Sequence, residues 1–232
     1  MDLSPTQQAA LKQLVGAAAA DLVQPGMRVG LGTGSTTAYF ISALIDRVQR
    51  GLVVAVLPSS IASERIAVAG RLPLLDAEEV TFLDLYVDGA DAVDPEGRLI
   101  KGGGGALLRE KITAGMSKQF IVIVDESKHV PSLQGLQLPV EVMRFGAAAT
   151  LHHLAILNCS PQWRLNASGS PVHTDNGNRI CDVVIPEGGE KAERFADQLM
   201  SIPGVVGHGL FANMAQQIWT GTGHGEVRRH VL

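Results

Sequence analysis

Short apolar runs, each closed by a glycine- or hydroxyl-rich turn, alternate along the first half of the chain with stretches of helical periodicity. Met27–Leu31, Leu52–Leu57, Leu83–Val87 and Lys118–Val124 read as strands, with Leu72–Leu75 a shorter one and Ala77–Val80 a turn or short helix. Phe120-Ile121-Val122-Ile123-Val124 has no polar alternation, the pattern of a parallel strand buried on both faces. Helices are predicted from Ser4 to about Val23, Ser35 to about Val48, Ser60 to Ala69, and from just after Gly105 to about Met116. The first has a complete start signal: Ser4 as N-cap, Pro5 at N1 and Gln7 at N3.

From about Leu133 the rhythm changes. Leu138–Val142, Gln162–Leu165, Ile180–Ile185 and a run opening at Pro203-Gly204-Val205-Val206 read as strands, with helices over Phe145–Leu157 and Glu190–Met200. Asp175-Asn176-Gly177-Asn178 is a hairpin signal. The order β-α-β-β-α-β is that of a ferredoxin-like unit. The predicted fold is therefore α/β: a Rossmann-like parallel-sheet domain, residues 1–132 and 205–232, with a smaller inserted α+β (ferredoxin-like) domain, residues 133–204. Leu210, Phe211, Ile218 and Trp219 are expected in closing strands that return to the first domain.

Composition narrows the function classes. Apolar residues are 46% and charged residues 18% of the chain, enough for a sizeable core, while aromatics at 4% leave that core to aliphatic side chains. A net charge of −4 without a basic stripe argues against nucleic acid as a partner. Cys159 and Cys181 make neither a disulfide framework nor a zinc pattern. No run approaches the roughly 18–20 apolar residues that span a bilayer, and no basic-then-apolar leader opens the chain. A cytoplasmic protein without a membrane partner is expected.

Candidate chemistry gathers at strand ends, where open α/β sheets bind ligands. After the first strand, Gly32-Thr33-Gly34-Ser35-Thr36 runs into a helix, so hydroxyls and free N–H groups converge as they would on a phosphate. The turn is neither a Walker loop nor the dinucleotide fingerprint, and spacing alone leaves a plain βα turn with hydroxyl capping open. After Val87 come Asp88, Gly89, Ala90, Asp91 and Asp94, then Lys101, Gly102, Gly103, Gly104 and Gly105, and then Glu110. On a helix Glu110 would have Ala106, Leu107, Thr113 and Ala114 as same-face neighbours, none of them a cation. An apolar setting would make it a stronger base; a solvated surface glutamate is the alternative. Asp88, Asp91 and Lys101 fit either catalysis or a salt-bridge network, and Asp94 before Pro95 fits a turn. Lys128 and Lys12 are further cations, each able to meet an anion or simply face solvent. The seven histidines lack metal-ligand spacing on a helix, and Gly-x-Ser-x-Gly is absent. The residues left suit proton transfer on a small anionic substrate.

Together these motifs resemble ribose-5-phosphate isomerases of type A. The resemblance rests on Val29–Thr36, Tyr86–Asp91, Leu99–Ile112, Ser127-Lys128, Leu138–Val142, Thr174–Asn178, Pro203–Val206 and Gly209–Phe211, in family order over nearly the whole chain. It implies interconversion of ribose 5-phosphate and ribulose 5-phosphate in the pentose phosphate pathway, without metal or other cofactor, by a homodimer or homotetramer. It implies Glu110 as the base, with Asp88 and Lys101 also catalytic. Substrate contacts are implied for Thr33, Gly34, Ser35, Thr36, Asp88, Gly89, Ala90, Asp91, Lys101, Gly102, Gly103, Gly104 and Lys128, with Lys12 near the phosphate. Ala92, where the family has Glu, Arg144, where it has Pro, and the Pro58–Ser63 segment depart from its pattern. A sugar-phosphate sensor uses a similar turn, but no helix-turn-helix or basic segment is present. An acyl-CoA transferase or an amino-sugar phosphate isomerase of like fold fits the Lys-Gly-Gly-Gly-Gly segment with Glu110 less well.

Overall fold

A computed structural model describes residues 4–187 and 191–232. Along the chain the elements are α1 (Pro5–Ala20), β1 (Arg28–Leu31), α2 (Ser35–Gln49), β2 (Ala55–Pro58), α3 (Ile61–Ala69), β3 (Leu85–Asp88), β4 (Ala92–Val93), β5 (Leu99–Ile100), α4 (Leu107–Gly115) and β6 (Phe120–Asp125). There follow β7 (Gln137–Val142), α5 (Ala147–Ile156), β8 (Gln162–Trp163), β9 (Arg179–Val184), α6 (Ala192–Met200), β10 (Val205–His208), β11 (Leu210–Phe211), β12 (Gln217–Gly221) and β13 (Val227–Val231). The predicted opening of α6 at Glu190 lies outside the described residues. The capping box at Ser4 is formed: Gln7 N–H donates to Ser4 Oγ at 3.3 Å and Ser4 N–H to Gln7 Oε1 at 2.9 Å.

Two compact units divide the chain. The first comprises Met1–Ala90, Arg109–His129 and Asn213–Leu232; the second comprises Asp91–Leu108 and Val130–Ala212. Residues 91–108, 130–132 and 205–212 thus go with the second unit. Their strands account for this: β10 pairs with β7, and β11 pairs with β5, which pairs with β4. Leu210 and Phe211 accordingly do not return to the first unit, whereas Ile218 and Trp219 do.

The first unit is built on a six-stranded sheet of order β13-β12-β6-β3-β1-β2. All its pairs are parallel except β12 with the edge strand β13. Every residue of β3 and β6 is buried, which is why these strands carry no polar alternation. The core of this unit includes Val15, Leu31, Phe40, Leu44, Val87, Ile121 and Trp219. In chain order the parallel strands run 2-1-3-4-5, so the direction of winding reverses between β1 and β3, and the carboxyl ends flanking that reversal form the crevice in which such sheets bind ligands.

The second unit has a four-stranded antiparallel sheet of order β10-β7-β9-β8, reached in the predicted β-α-β-β-α-β sequence, and a three-stranded sheet of order β11-β5-β4. Leu138, Val140, Leu154, Val183, Phe195 and Leu199 lie in its core. Ala92 is buried there too, at 6% exposure, so its small side chain faces aliphatic neighbours. Arg144 is exposed.

Candidate active site

Asp88 anchors the first unit's site. It ends β3 and is completely buried. Its Oδ1 accepts from the backbone N–H of Thr33 at 2.9 Å, from Gly89 N–H at 2.7 Å and from the Thr37 hydroxyl at 3.3 Å. Its Oδ2 accepts from the phenol of Tyr86. A Cβ on Gly32 would stand 2.1 Å from Asp88 Cγ, so only glycine admits the carboxylate at this point of the turn. The Gly32–Gly34 turn is therefore shaped around a buried carboxylate as well as toward solvent.

The outer side of the turn is open. Gly34 caps α2 with φ +110°, a conformation that suits glycine, and no side chain caps the helix. The first-turn N–H groups and the exposed Ser35 hydroxyl are thus presented outward. Lys12, one of α1's residues, donates from Nζ to Ser35 Oγ at 3.0 Å. The close crossing of α1 and α2 brings it there: a Cβ on Gly16 would lie 2.8 Å from Phe40 N. Of the two lysine readings, the structure places Lys12 at the turn. Thr36 is buried at the start of α2, while Thr33 turns inward, its hydroxyl 2.8 Å from Ser60 Oγ and 3.2 Å from Ser59 Oγ. Lys128 is half-buried at the end of a 3₁₀ turn, Glu126–Lys128, that follows β6, and Gly89 and Ala90 are half-buried after β3.

Glu110 lies in the first turn of α4 and is 4% exposed. It is not a solvated surface residue. Gly30 leaves room for Thr113, one turn further along α4, and for the Tyr86 ring, since a Cβ there would lie 2.8 Å and 2.7 Å from them. Burial, then the charges of Asp88 and Glu110, push the Tyr86 phenol well above its ordinary range, so it remains a hydrogen-bond donor at neutral pH. Tyr86 also bonds Ser59, which extends the hydroxyl cluster to Thr33, Ser60 and Ser63. Tyr86, in the matched stretch Tyr86–Asp91, the serines of the departing Pro58–Ser63 segment, and Thr37 all join the cluster around Asp88, although none was singled out as a candidate. Tyr86 was detectable, since residues two apart in a strand share a face.

The second unit contributes the remaining candidates. Lys101 follows β5, is 2% exposed, and lies with Nζ 5.6 Å from the centre of the Phe211 ring. Its N–H donates to Gly209 O at 2.8 Å. Gly103 N–H donates to Asp91 Oδ2 at 2.7 Å, while Gly103, Gly104 and Asp91 are exposed. Asp94 is the turn residue its sequence suggests: it is buried, accepts from Glu96 N–H and Arg98 N–H, and pairs with Arg98 at 2.6 Å. Among the described residues no group of three or more His, Cys, Asp or Glu side chains is placed to hold a metal ion.

Fold and site define an α/β protein with an outward-facing helix N-terminus at the sheet's winding reversal and a buried carboxylate, Asp88, holding the turn from behind. Residues 55–225 match the family model for ribose 5-phosphate isomerase A (phosphoriboisomerase A). Ribose-5-phosphate isomerase A of Bacillus mycoides (strain KBAB4) is 44% identical over 215 residues, covering 93% of this chain and 97% of that protein. The solved ribose 5-phosphate isomerase from Plasmodium falciparum superposes with a TM-score of 0.90 at 33% identity, covering 97% of this chain and 99% of its own. A solved D-ribose-5-phosphate isomerase in complex with phospho-erythronic acid gives a TM-score of 0.89 at 36% identity, covering 96% and 98% of the two chains. The chain belongs to the ribose 5-phosphate isomerase A family.

Proposed function

We propose that this protein is an aldose–ketose isomerase that interconverts ribose 5-phosphate and ribulose 5-phosphate, a step of the non-oxidative pentose phosphate pathway. The observation that carries the reading is the burial of Glu110 in the same unit as Asp88, whose carboxylate braces an anion-accepting turn. A relative's complex with phospho-erythronic acid, a phosphorylated four-carbon acid, supports a sugar phosphate as the ligand.

The reaction moves one proton between C2 and C1 through an enediolate. Glu110 takes it from one carbon and returns it to the other. The developing oxyanion requires preorganised donors. Lys101 and the N–H groups of Gly102 and Gly104 are assigned this role from the family pattern, while Gly103 N–H anchors the segment on Asp91 Oδ2. Ring opening needs a proton moved from the sugar hydroxyl to the ring oxygen, which we assign to Asp88 with Asp91. Asp88 also holds the turn, through Thr33 N–H and Thr37. Ser35, Thr36 and the start of α2 hold the phosphate. Lys12 is favoured over Lys128 as its cation because it already meets Ser35. Gly34, Gly89 and Ala90 supply close backbone.

The proposal extends to a homodimer or homotetramer working in the cytoplasm, where the free thiols of Cys159 and Cys181 are at home. Among the described residues no helix is long and apolar enough to cross a membrane.

Purified protein in excess EDTA is expected to convert ribose 5-phosphate to ribulose 5-phosphate. Glu110→Gln keeps the size of the side chain and removes the base, so kcat is expected to fall by about 10²–10⁴ with KM little changed. An unchanged kcat removes Glu110 from the role, and binding without turnover in the wild type would favour a sugar-phosphate sensor.

A further inference from the structure

Arg164 lies just beyond β8, far in sequence from the glycine segment, yet it is bonded to it. Its Nε meets Asp182 Oδ2 at 2.9 Å and its Nη2 meets Asp182 Oδ1, a two-pronged ion pair between β8's extension and β9. Its backbone is pinned as well, with Arg164 N–H donating to Ile180 O at 2.9 Å. The remaining nitrogen, Nη1, donates to Gly102 O at 2.7 Å and to Gly103 O at 2.9 Å. All these groups belong to the second unit.

The consequence follows from peptide geometry. In a trans peptide the C=O of one residue and the N–H of the next point in opposite directions. Fixing Gly102 O on the guanidinium therefore turns Gly103 N–H away from it, and that N–H is found on Asp91 Oδ2 at 2.7 Å. This plane is clamped between a cation at its oxygen and a carboxylate at its nitrogen, which polarises it. The next plane is held by the same Nη1, so Gly104 N–H is turned away from Arg164 at an exposed residue. Gly105 N–H closes the turn onto Gly102 O at 2.9 Å, and Gly102 has φ +97°, which glycine tolerates.

We propose that Arg164, braced by Asp182, is a positioning residue for the isomerisation: it orients and polarises the peptides of the glycine segment so that Gly104 N–H, turned away from the guanidinium, donates to the enediolate oxyanion while Gly103 N–H stays anchored on Asp91. This rests on the proposed isomerase function. The guanidinium is suited to it because its planar fork serves the carboxylate and both carbonyls at once, which a lysine ammonium cannot do.

The test uses full-length Arg164→Ala, Arg164→Lys and Asp182→Asn, with Glu110→Gln alongside. Turnover of ribose 5-phosphate is measured together with the affinities for phospho-erythronic acid and for inorganic phosphate. Losing a preorganised oxyanion donor costs about 10²–10³ in rate. Arg164→Ala is expected to lower kcat by about 30- to 100-fold with KM changed less than about threefold, since the donor stays in place but loses its aim. Affinity for phospho-erythronic acid falls in step while that for inorganic phosphate holds, and Arg164→Lys recovers part of the loss. If the alanine variant fails to fold, the lysine and asparagine variants give the same reading. A kcat within about twofold of wild type in the folded variants, or equal loss of both affinities, overturns the proposal. A wild type without turnover defeats the isomerase reading instead, and the ratio of the two affinities in the variants still decides the role of Arg164.

Discussion

At the scale of single residues, Asp88 is held by groups that sequence reading did not single out. Tyr86 shows why. The sequence displays Asp88 and Glu110 as chemistry and Tyr86 as one more apolar position of a strand, yet its phenol bonds Asp88 and stacks on Phe120 with ring centres 4.8 Å apart. Burial and two nearby carboxylates hold its phenol well above the ordinary value of 10.0. The folded state therefore disfavours the phenolate more than the unfolded chain does. Stability from this group is fully present below about pH 10 and is lost as pH rises toward the folded-state value. In a Tyr39→Phe background Tyr86 is the sole tyrosine, and its phenolate absorbance is expected to be absent at pH 10–11 and to appear only as the protein unfolds. Reversible ionisation near pH 10 in the folded protein would contradict the buried Tyr86–Asp88 pair. Lys12 teaches the complementary lesson. Helical periodicity placed it off the apolar stripe, which suits solvent, and nothing local reports that Gly16 lets α2 approach closely enough for Nζ to reach Ser35.

At the scale of elements, two stretches that look unrelated in sequence turn out to be one structure. Glu141 of β7 is completely buried, and its Oε1 accepts from Thr174 Oγ1 at 2.9 Å, Asn176 Nδ2 at 3.1 Å and Asn178 Nδ2 at 2.8 Å. The carboxylate thus holds the Asn-Gly turn from below. Glu141→Leu leaves these donors without their acceptor and is expected to cost about 2–4 kcal/mol of stability, given about 1–3 kcal/mol for each buried unsatisfied group and partial rescue by water at the exposed Asn176. Glu141→Gln keeps Oε1 and should cost less. Denaturant unfolding of the two variants checks the order, and a leucine variant as stable as wild type would show that the turn does not need this anchor. The Asn-Gly step was legible as a turn because Gly177, at φ +78°, suits a position that L side chains resist. Its partners were not. The turn closes on a bridge between His173 and Arg179, and a second turn, built on Asn166 Oδ1 accepting from Ser168 and Ser170 N–H, precedes it. Leu72–Leu75 similarly shrinks to one bridge, Val56 with Leu74, since Pro73 has no N–H and Arg71 sits at φ +57°.

At the scale of the whole molecule, the parallel sheet was readable because β3 and β6 are apolar up to the aspartate that ends each, and the second unit because its order of elements is distinctive. Which segments close each unit was not readable: two-residue strands such as β4, β5 and β11 carry almost no periodic signal, and only their pairing assigns 91–108 and 205–212 to the second unit. That assignment makes the chain pass between the units four times, at 90/91, 108/109, 129/130 and 212/213. The first unit's sheet is complete only when β12 and β13, at the end of the chain, have joined β6. The second unit needs residues from either side of Arg109–His129. Neither is a contiguous folding segment, so a single cooperative transition is expected. Each unit has its own reporter. Trp219, 1% exposed, belongs to the first; Cys159 and Cys181, both buried, belong to the second. Burial raises both thiols, Cys181 to about 12 with the Asp182 charge adding to it, so neither should react with a thiol reagent at pH 8 while the unit is folded. In a Trp163→Phe variant, pulse labelling of the thiols and Trp219 fluorescence are expected to give one shared denaturant midpoint. Thiol labelling at a clearly lower denaturant concentration than the fluorescence change would mean that the second unit opens by itself, and that the four chain passages do not couple the two.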